Sequence, residues 1–319
     1  MATYNGDLWV GEQLRSIALQ TRLPDELIVS DDGSTDRTVE IVEEFSSSAP
    51  FPVRLVSGPS RGLAENFWAA SSICSSDLIA WSDQDDWWYP QKLQVSERTL
   101  LKFEAAMVSH SAIVVDEQLN PLRRRYPNYR STRILGPLDG DPWHVLPGFA
   151  ILLRREILST IDWKNRSRSH QTGNPGNHDH TLSVVSFASA KRVEISEPLA
   201  LYRQHSRNSS GAPPMEGVRE SLQIGLNQYR ALADFAREYQ RFVMTCGASS
   251  QSVISYYDAL ASRCDRRADI YASVGFLQGM RRLNSALFAG VYGSRNRGRF
   301  RPAAFAKDAA HVLLQMSQD

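Results

Sequence analysis

Strand and helix signals alternate through the first 115 residues, and this alternation restricts the possible folds more than any other feature. Short apolar or β-branched runs at residues 27–30, 53–56, 78–81 and 107–115 predict strands. Apolar residues at helical spacing and helix-capping residues lie between these runs. Strands that alternate with helices imply a largely parallel sheet covered on both faces. We therefore predict an α/β fold for this part of the chain.

Three carboxylates follow one of these predicted strands. Asp83, Asp85 and Asp86 come directly after the apolar residues 78–80 and are flanked by tryptophans. Open α/β sheets bind their ligands at the carboxyl ends of strands. Carboxylates at this spacing can converge on a hard divalent cation, which in turn can hold the phosphates of a substrate. The alternative is a solvated acidic turn, but the tryptophans and the strand context favour the metal site.

Two shorter motifs near the N-terminus fit nucleotide binding. Asp31 and Asp32 follow the predicted strand at residues 27–30, where a carboxylate can accept hydrogen bonds from a base or a ribose. Thr3 and Tyr4 precede the first helix, and a tyrosine at a strand end can stack on a base. Each motif also has a purely structural interpretation, as a helix cap or a helix entry.

Two polar motifs in the second hundred residues suit catalysis. Asp179 lies between His178 and His180 at the start of a predicted helix, where it could act as a general base. A zinc site and a simple helix cap are the alternatives for this tripeptide. Arg203 and His205 lie in a segment of cations and amides that suits a diphosphate leaving group, or else forms a polar surface turn.

In chain order, the motifs Thr-Tyr-Asn-Gly, Asp-Asp-Gly-Ser, Asp-Gln-Asp-Asp, His-Asp and Tyr-Arg-Gln-His resemble those of the family 2 glycosyltransferases. The resemblance covers about residues 1–211 and is greatest to bacterial members that transfer rhamnose or related sugars. It implies the GT-A nucleotide-diphospho-sugar transferase fold, a mostly parallel mixed sheet flanked by helices. Residues 1–211 would form this catalytic domain, and residues 212–319 a C-terminal helical appendage.

The resemblance also implies roles for individual residues. Donor-nucleotide binding is implied for Thr3, Tyr4, Asp31, Asp32, Arg61, Asn66 and Asp83. A Mn²⁺ or Mg²⁺ ion would be held by Asp83, Asp85 and His205. Asp179 matches the catalytic base, and the diphosphate or acceptor side would include Gly148, Arg203 and His178.

The activity implied is inverting, metal-dependent transfer of a sugar from a dTDP- or UDP-sugar to a glycan acceptor in bacterial cell-surface polysaccharide synthesis. Two other classes stay open: a sugar nucleotidyltransferase, which usually has a glycine-rich N-terminal phosphate loop that is missing here, and a non-catalytic GT-A-fold binding or assembly protein. Family members usually have a full apolar strand before the motif that begins at Met1. We expect a weaker sheet centre without it.

Composition and the C-terminal third bear on location and partners. A formal net charge of +1 argues against nucleic-acid binding, and three widely spaced cysteines argue against a disulfide framework. We see no secretory signal and no apolar run near the length of a bilayer span, so we expect a cytoplasmic protein. No acidic residue lies between Asp269 and Asp308, where the basic residues are Arg281, Arg282, Arg295, Arg297, Arg299, Arg301 and Lys307. This charge predicts peripheral contact with the inner face of the cytoplasmic membrane and a lipid-linked glycan acceptor, or else packing against protein.

The remaining segments have weaker patterns. Residues 120–145 and 164–177 are polar or rich in proline and glycine, which predicts loops. We predict a strand over residues 149–153 and two separate short strands over 191–195 and 199–202.

Overall fold

The computed structural model describes residues 1–208, 226–293 and 302–315. Residues 1–163 and 176–208 form one compact unit, and residues 164–175 join the C-terminal helices in a second. The predicted domain boundary after residue 211 lies outside the described residues, as do Arg295, Arg297, Arg299 and Arg301.

The first unit begins with a three-stranded parallel sheet. Its strands are β1 (Ala2–Thr3), β2 (Leu27–Asp31) and β3 (Val53–Ser57), in that order. The helices α1 (Val10–Ala18), α2 (Thr38–Ser46) and α3 (Leu63–Ser72) connect these strands and lead out of the sheet. In α1, Val10, Leu14 and Ile17 are buried at the i, i+4, i+7 spacing that places them on one helical face. The parallel ladder brings the carboxyl ends of β1 and β2 to one edge.

A second sheet of seven strands is mainly antiparallel. Its strands are β4 (Leu78–Ala80), β5 (Trp87–Trp88), β6 (Met107–Val115), β7 (Pro121–Arg125), β8 (Arg133–Leu135), β9 (Ile151–Arg154) and β10 (Arg192–Arg203). The main order is β4-β9-β6-β10-β5, in which only the β6–β10 pair is parallel. The helices α4 (Lys92–Lys102), α5 (Glu156–Ser159) and α6 (His178–Ser189) belong to the same unit.

Several local predictions need correction. Residues 120–145 contain the strands β7 and β8 in place of a continuous loop, and β10 is one strand with a register irregularity near Pro198 in place of two strands. The predicted strand over 149–153 begins with a 3-10 turn at Gly148–Ala150, and β9 follows it. Segment 164–175 is tied to the second unit, where Arg168 forms an ion pair with Glu238 at 2.7 Å.

A cavity of about 500 Å³ separates the two sheets, between β2 and β4. Leu27, Ile28, Ile79 and Phe67 contribute to its apolar lining. The Met1 ammonium lies at this cavity and donates a 2.8 Å hydrogen bond to Ile28 O. Burial lowers the pKa of this amine to about 6. β1 pairs with β2, and its Ala2 amide also donates a 3.4 Å hydrogen bond to Ser82 O beyond β4. No strand of the described residues is shared by the two sheets.

The second unit contains the helices α7 (Leu226–Thr245), α8 (Gln251–Tyr271), α9 (Phe276–Phe288) and α10 (Pro302–Gln315). Ile270, Leu283, Tyr292 and Val312 are buried in its core. Arg267 binds the fully buried Asp308 through two 2.8 Å hydrogen bonds. None of the helices in the described ranges has the length and hydropathy needed to span a membrane.

Candidate functional site

A polar cavity of about 420 Å³ opens where the ends of β1 and β2 meet the segment after β4 that contains Asp83, Asp85 and Asp86. This segment is called the acidic turn. Its volume lies within the range of small-molecule sites. Six residues predicted to bind donor or metal line it: Thr3, Tyr4, Asp32, Asn66, Asp83 and Asp85. The wall also includes Gln84, Arg207 and Asn208, which lie in predicted motifs but were not assigned individual roles. The topology therefore gathers motifs that are separated by up to 200 residues in the chain.

The two neighbouring carboxylates at the end of β2, Asp31 and Asp32, organise the backbone around the cavity. Asp31 accepts hydrogen bonds from Thr3 Oγ1 at 2.9 Å and from the Ser34 amide at 2.8 Å, which closes the turn after the strand. Asp32 accepts from the Ser60 amide at 2.6 Å and from the Gly62 amide at 2.8 Å. Asp32 also faces the cavity, whereas Asp31 does not line it.

The other predicted nucleotide residues differ in position. Asn66 is buried, and its amide donates to Ser30 O at 2.8 Å while its Oδ1 has no partner in the described chain. Arg61 is exposed and does not line the cavity. Tyr4 is more than half exposed, as a residue that stacks on a ligand would be. Its backbone exchanges two hydrogen bonds with the Gln84 side chain, at 2.9 and 3.0 Å, and these fix the acidic turn to the end of β1.

His205 and Asn208 orient the predicted metal ligand Asp85. His205 Nε2 and Asn208 Nδ2 lie 2.8 and 3.3 Å from Asp85 Oδ2. The imidazole is stacked on the Trp9 indole, with the ring centroids 3.7 Å apart. A stacked and hydrogen-bonded ring has few accessible rotamers, so Asp85 is held in one orientation.

The carboxylates in the site perturb one another. Burial, followed by the charges of Asp85 and then Asp179, raises the pKa of Asp83 to about 7. Burial also raises the pKa of Asp179 to about 6, although amide donors including Gly148 N–H oppose the shift. Asp179 therefore lies near enough to the acidic turn for its charge to act on Asp83. Such a cluster of acids favours a cation or a proton.

Arg203 is placed differently from its predicted position beside the diphosphate. Its side chain is 2% exposed, and its guanidinium contacts Glu12, Glu117 O and Asp85 O, the last at 2.8 Å from Nε. Its amide donates to the fully buried Asp86 at 3.1 Å. Through these contacts, Arg203 stabilises the acidic turn from its buried side. Arg207 lines the cavity instead.

His178 is packed among aromatic rings at the start of α6. It is stacked on Phe67 with centroids 4.0 Å apart and meets Trp81 edge-on at 4.9 Å. Burial lowers the pKa of His178 to about 3, so its ring is neutral. A Cβ at Gly148 would lie 2.6 Å from His178 Nε2, so only glycine fits there. Both residues thus support the half-buried Asp179.

The donor set suits a hard cation that is shared with a substrate. Among residues 1–208, 226–293 and 302–315, no group of three or more His, Cys, Asp or Glu forms a metal site by itself. The predicted set of Asp83, Asp85 and His205 is therefore no closed site, and neither is the zinc alternative at residues 178–180. Mg²⁺ and similar ions need only one or two carboxylates when phosphates and waters complete the shell, so Asp83 and Asp85 fit such an ion.

Gln84 and Arg207 are the main functional candidates that sequence reasoning missed. Gln84 stands between the two aspartates, and only the fold shows that its amide reaches Tyr4. Arg207 is four residues after Arg203, beyond the end of β10. The alternation of strand side chains no longer applies there, so the sequence could not show which arginine faces the cavity.

Comparisons with known proteins agree with the motifs. The model of glycosyl transferase family 2 matches residues 1–162. The chain is 29% identical over 225 residues to dTDP-rhamnosyl transferase RfbG of Shigella flexneri, covering 66% of this chain and 74% of that protein. It is 33% identical over 103 residues to the UDP-Glc:alpha-D-GlcNAc-diphosphoundecaprenol beta-1,3-glucosyltransferase WfgD of Escherichia coli, covering 32% of this chain and 40% of that protein.

The structure of TarS from S. aureus in complex with UDP-GlcNAc has the same fold, with a TM-score of 0.56 at 14% identity. The similarity covers 98% of this chain and 90% of that chain. The predicted GT-A α/β fold and the predicted family are thereby confirmed. This chain belongs to glycosyl transferase family 2.

Proposed function

We propose that this protein is an inverting, metal-dependent glycosyltransferase that moves a hexosyl or deoxyhexosyl group from a dTDP- or UDP-sugar to a glycan acceptor. One observation carries the proposal: Asp83 and Asp85 line a polar cavity of suitable size for a nucleotide, and the candidate general base Asp179 is close enough for its charge to raise the pKa of Asp83. A metal-binding pair and a separate base are the parts that such a transfer requires.

Asp179 would deprotonate the acceptor hydroxyl. The oxygen then attacks the anomeric carbon from the face opposite the nucleotide, a glycosidic bond forms, and the bond to the nucleoside diphosphate breaks with its electron pair. A pKa of about 6 leaves Asp179 mostly ionised at pH 7 while making it a stronger base than an ordinary aspartate. The hydroxyl proton ends on the carboxylate.

Asp83 and Asp85 would hold Mn²⁺ or Mg²⁺, which when bound supplies positive charge for the departing diphosphate. His205 would act through Asp85, which it already contacts. Arg207 lines the same cavity and adds a fixed cation on the diphosphate side. Asp32, Tyr4 and Asn66 would bind the nucleoside.

Calorimetric titration with dTDP, UDP and GDP, each with and without Mn²⁺, tests the donor site. We expect binding of dTDP or UDP that requires Mn²⁺, and we favour dTDP because a relative carries the name of a dTDP-rhamnosyl transferase. The double variant Asp83→Asn/Asp85→Asn should lose the Mn²⁺-dependent part of the affinity. Failure of all three nucleotides to bind would contradict the proposal and favour a non-catalytic binding protein.

We also propose peripheral contact with the inner face of the cytoplasmic membrane, where a lipid-linked glycan would serve as acceptor. The outward stripe of α9 supports this, since Leu277 and Phe288 are 75% and 90% exposed and Arg281 lies between them. Exposed apolar side chains beside cations suit an anionic lipid surface. In vesicle flotation, Leu277→Ser/Phe288→Ser should bind phosphatidylglycerol vesicles at least tenfold more weakly than wild type, and equal binding would contradict the contact.

A further inference from the structure

Lys92, the first residue of α4, has a buried amino group beneath the site. Its side chain is 2% exposed. Nζ donates a 2.6 Å hydrogen bond to Phe149 O and lies 3.5 Å from the centre of the Trp88 ring. A buried ammonium is costly unless fixed partners compensate it. Here a carbonyl and an aromatic face do so, which holds Lys92 in one place.

On one side, Lys92 is linked to the acidic turn. Trp88 closes that turn, and Asp86 within it is fully buried. The Asp86 Oδ1 atom accepts from Arg203 N, while Oδ2 has no hydrogen-bond partner in the described part of the chain. The charge of Lys92 acts on both Asp86 and Asp83. Burial lowers the pKa of Lys92 well below its usual range, and the charges of Asp86 and Asp83 oppose that shift. The contact with the Trp88 ring connects Lys92 to the acidic turn.

On the other side, Lys92 is linked to the candidate base. Phe149 is the middle residue of the 3-10 turn Gly148–Ala150, and the amide of Gly148 donates to the Asp179 carboxylate. Gly148 is also in close contact with His178, which directly precedes Asp179. A shift of this turn would therefore move both the amide donor and the packing that fix Asp179.

We propose that Lys92 is a positioning residue that holds the Gly148–Ala150 turn, and through it Asp179, at a fixed distance from the acidic turn. Lys92 touches neither substrate nor cation in this role, which rests on the proposed function of Asp179. Displacement of a catalytic group by about 1 Å can cost on the order of 100-fold in rate. Loss of the hydrogen bond from Lys92 to Phe149 O would allow the Gly148–Ala150 turn to shift, and a shift of that size in Asp179 would lower the rate.

The test compares Lys92→Met with Lys102→Met, which removes an exposed lysine from the same helix. For Lys92→Met, we expect kcat to fall about 10- to 100-fold while KM for the nucleotide sugar stays within about twofold. Hydrogen exchange should accelerate in peptides that contain residues 148–150 and 178–180. Lys92→Arg keeps a hydrogen-bond donor that can reach Phe149 O and should retain more of kcat than Lys92→Met. Lys102→Met should behave like the wild type in every measurement.

Unchanged kcat together with unchanged exchange in Lys92→Met would overturn the proposal. Equal losses of kcat in the Met and Arg variants, or a loss of nucleotide affinity parallel to the loss of kcat, would overturn it as well, because either result indicates general damage. The exchange measurement needs no activity. A wild-type protein without transferase activity would therefore refute the proposed function, while the exchange data would still decide whether Lys92 holds the turn.

Discussion

Asp179 illustrates how single residues in this site combine chemistry with a cost in stability. Its carboxyl is half-buried beside other acids, and its raised pKa means that the folded state favours the protonated form. The free energy of unfolding therefore decreases as the pH rises through about 4 to 6, since ionisation is easier in the unfolded chain.

Arg203 and Arg207 show the limit of prediction at this scale, because the burial of one and the exposure of the other follow from contacts with distant residues such as Glu12.

Asp179→Asn should abolish transfer, with kcat at least about 10²-fold lower because general-base assistance is lost. The same variant should be more stable than the wild type at pH 7.5 by roughly 1–2 kcal/mol, since a buried charge is removed. Thermal denaturation and a transfer assay check both effects. An active variant would show that Asp179 is not the base, and Asp25→Asn, at an exposed aspartate, is the matched control.

The pH dependence of kcat/KM follows from the same carboxyl. At saturating Mn²⁺, kcat/KM should fall tenfold per pH unit below about pH 6, because protonated Asp179 cannot accept the acceptor's proton. Initial rates between pH 5 and 8 check this. A profile that stays flat to pH 5 would exclude a base with a raised pKa.

At the scale of elements, the apolar strands and most helices are readable from the sequence, and the exposed strand β7 is not. The apolar, buried β2 and β6 coincide with predicted strands. β7 includes Arg123, Arg124 and Arg125 and is largely exposed, as suits an edge strand, so it has no apolar alternation to detect. The 3-10 turn at Gly148–Ala150 is likewise defined by tertiary contacts, with Lys92 and His178.

Gly148→Ala should disturb the connection between this turn and α6. The new Cβ would lie 2.6 Å from His178 Nε2, and overpacking of this kind costs about 1–3 kcal/mol. We expect a lower melting temperature and reduced kcat. Gly11→Ala is a suitable control, because the Cβ would be in ordinary contact, 3.5 Å from Ile41, and alanine favours the helix α1. Equal stability of the two variants would contradict this account of Gly148.

At the scale of the whole molecule, neither the division into two sheets nor the membership of the two units is readable from the sequence. The cavity between β2 and β4 is visible only in three dimensions. The membership of residues 164–175 in the second unit depends on long-range pairs such as Arg168 with Glu238, which a local pattern cannot reveal.

An apolar N-terminal extension should stabilise the first unit. Four or five β-branched residues fused before Met1 could fill the cavity beside β2. Burial of several apolar side chains is worth about 1.5–3 kcal/mol each before entropy is subtracted. A Gly-Ser extension of equal length is the control. A melting temperature that is no higher with the apolar extension than with Gly-Ser would show that the cavity does not accept a strand.

The hydrogen bonds from His205 and Asn208 to Asp85 Oδ2 also restrict which ions could enter the acidic turn. A carboxylate with one oxygen already engaged is best suited to bind a cation through the other. Ca²⁺ takes six to eight ligands and often both oxygens of a carboxylate, whereas Mg²⁺ accepts one oxygen from each and keeps several waters. The acidic turn should therefore discriminate against calcium, and a histidine that need not touch the ion would be responsible for that selectivity.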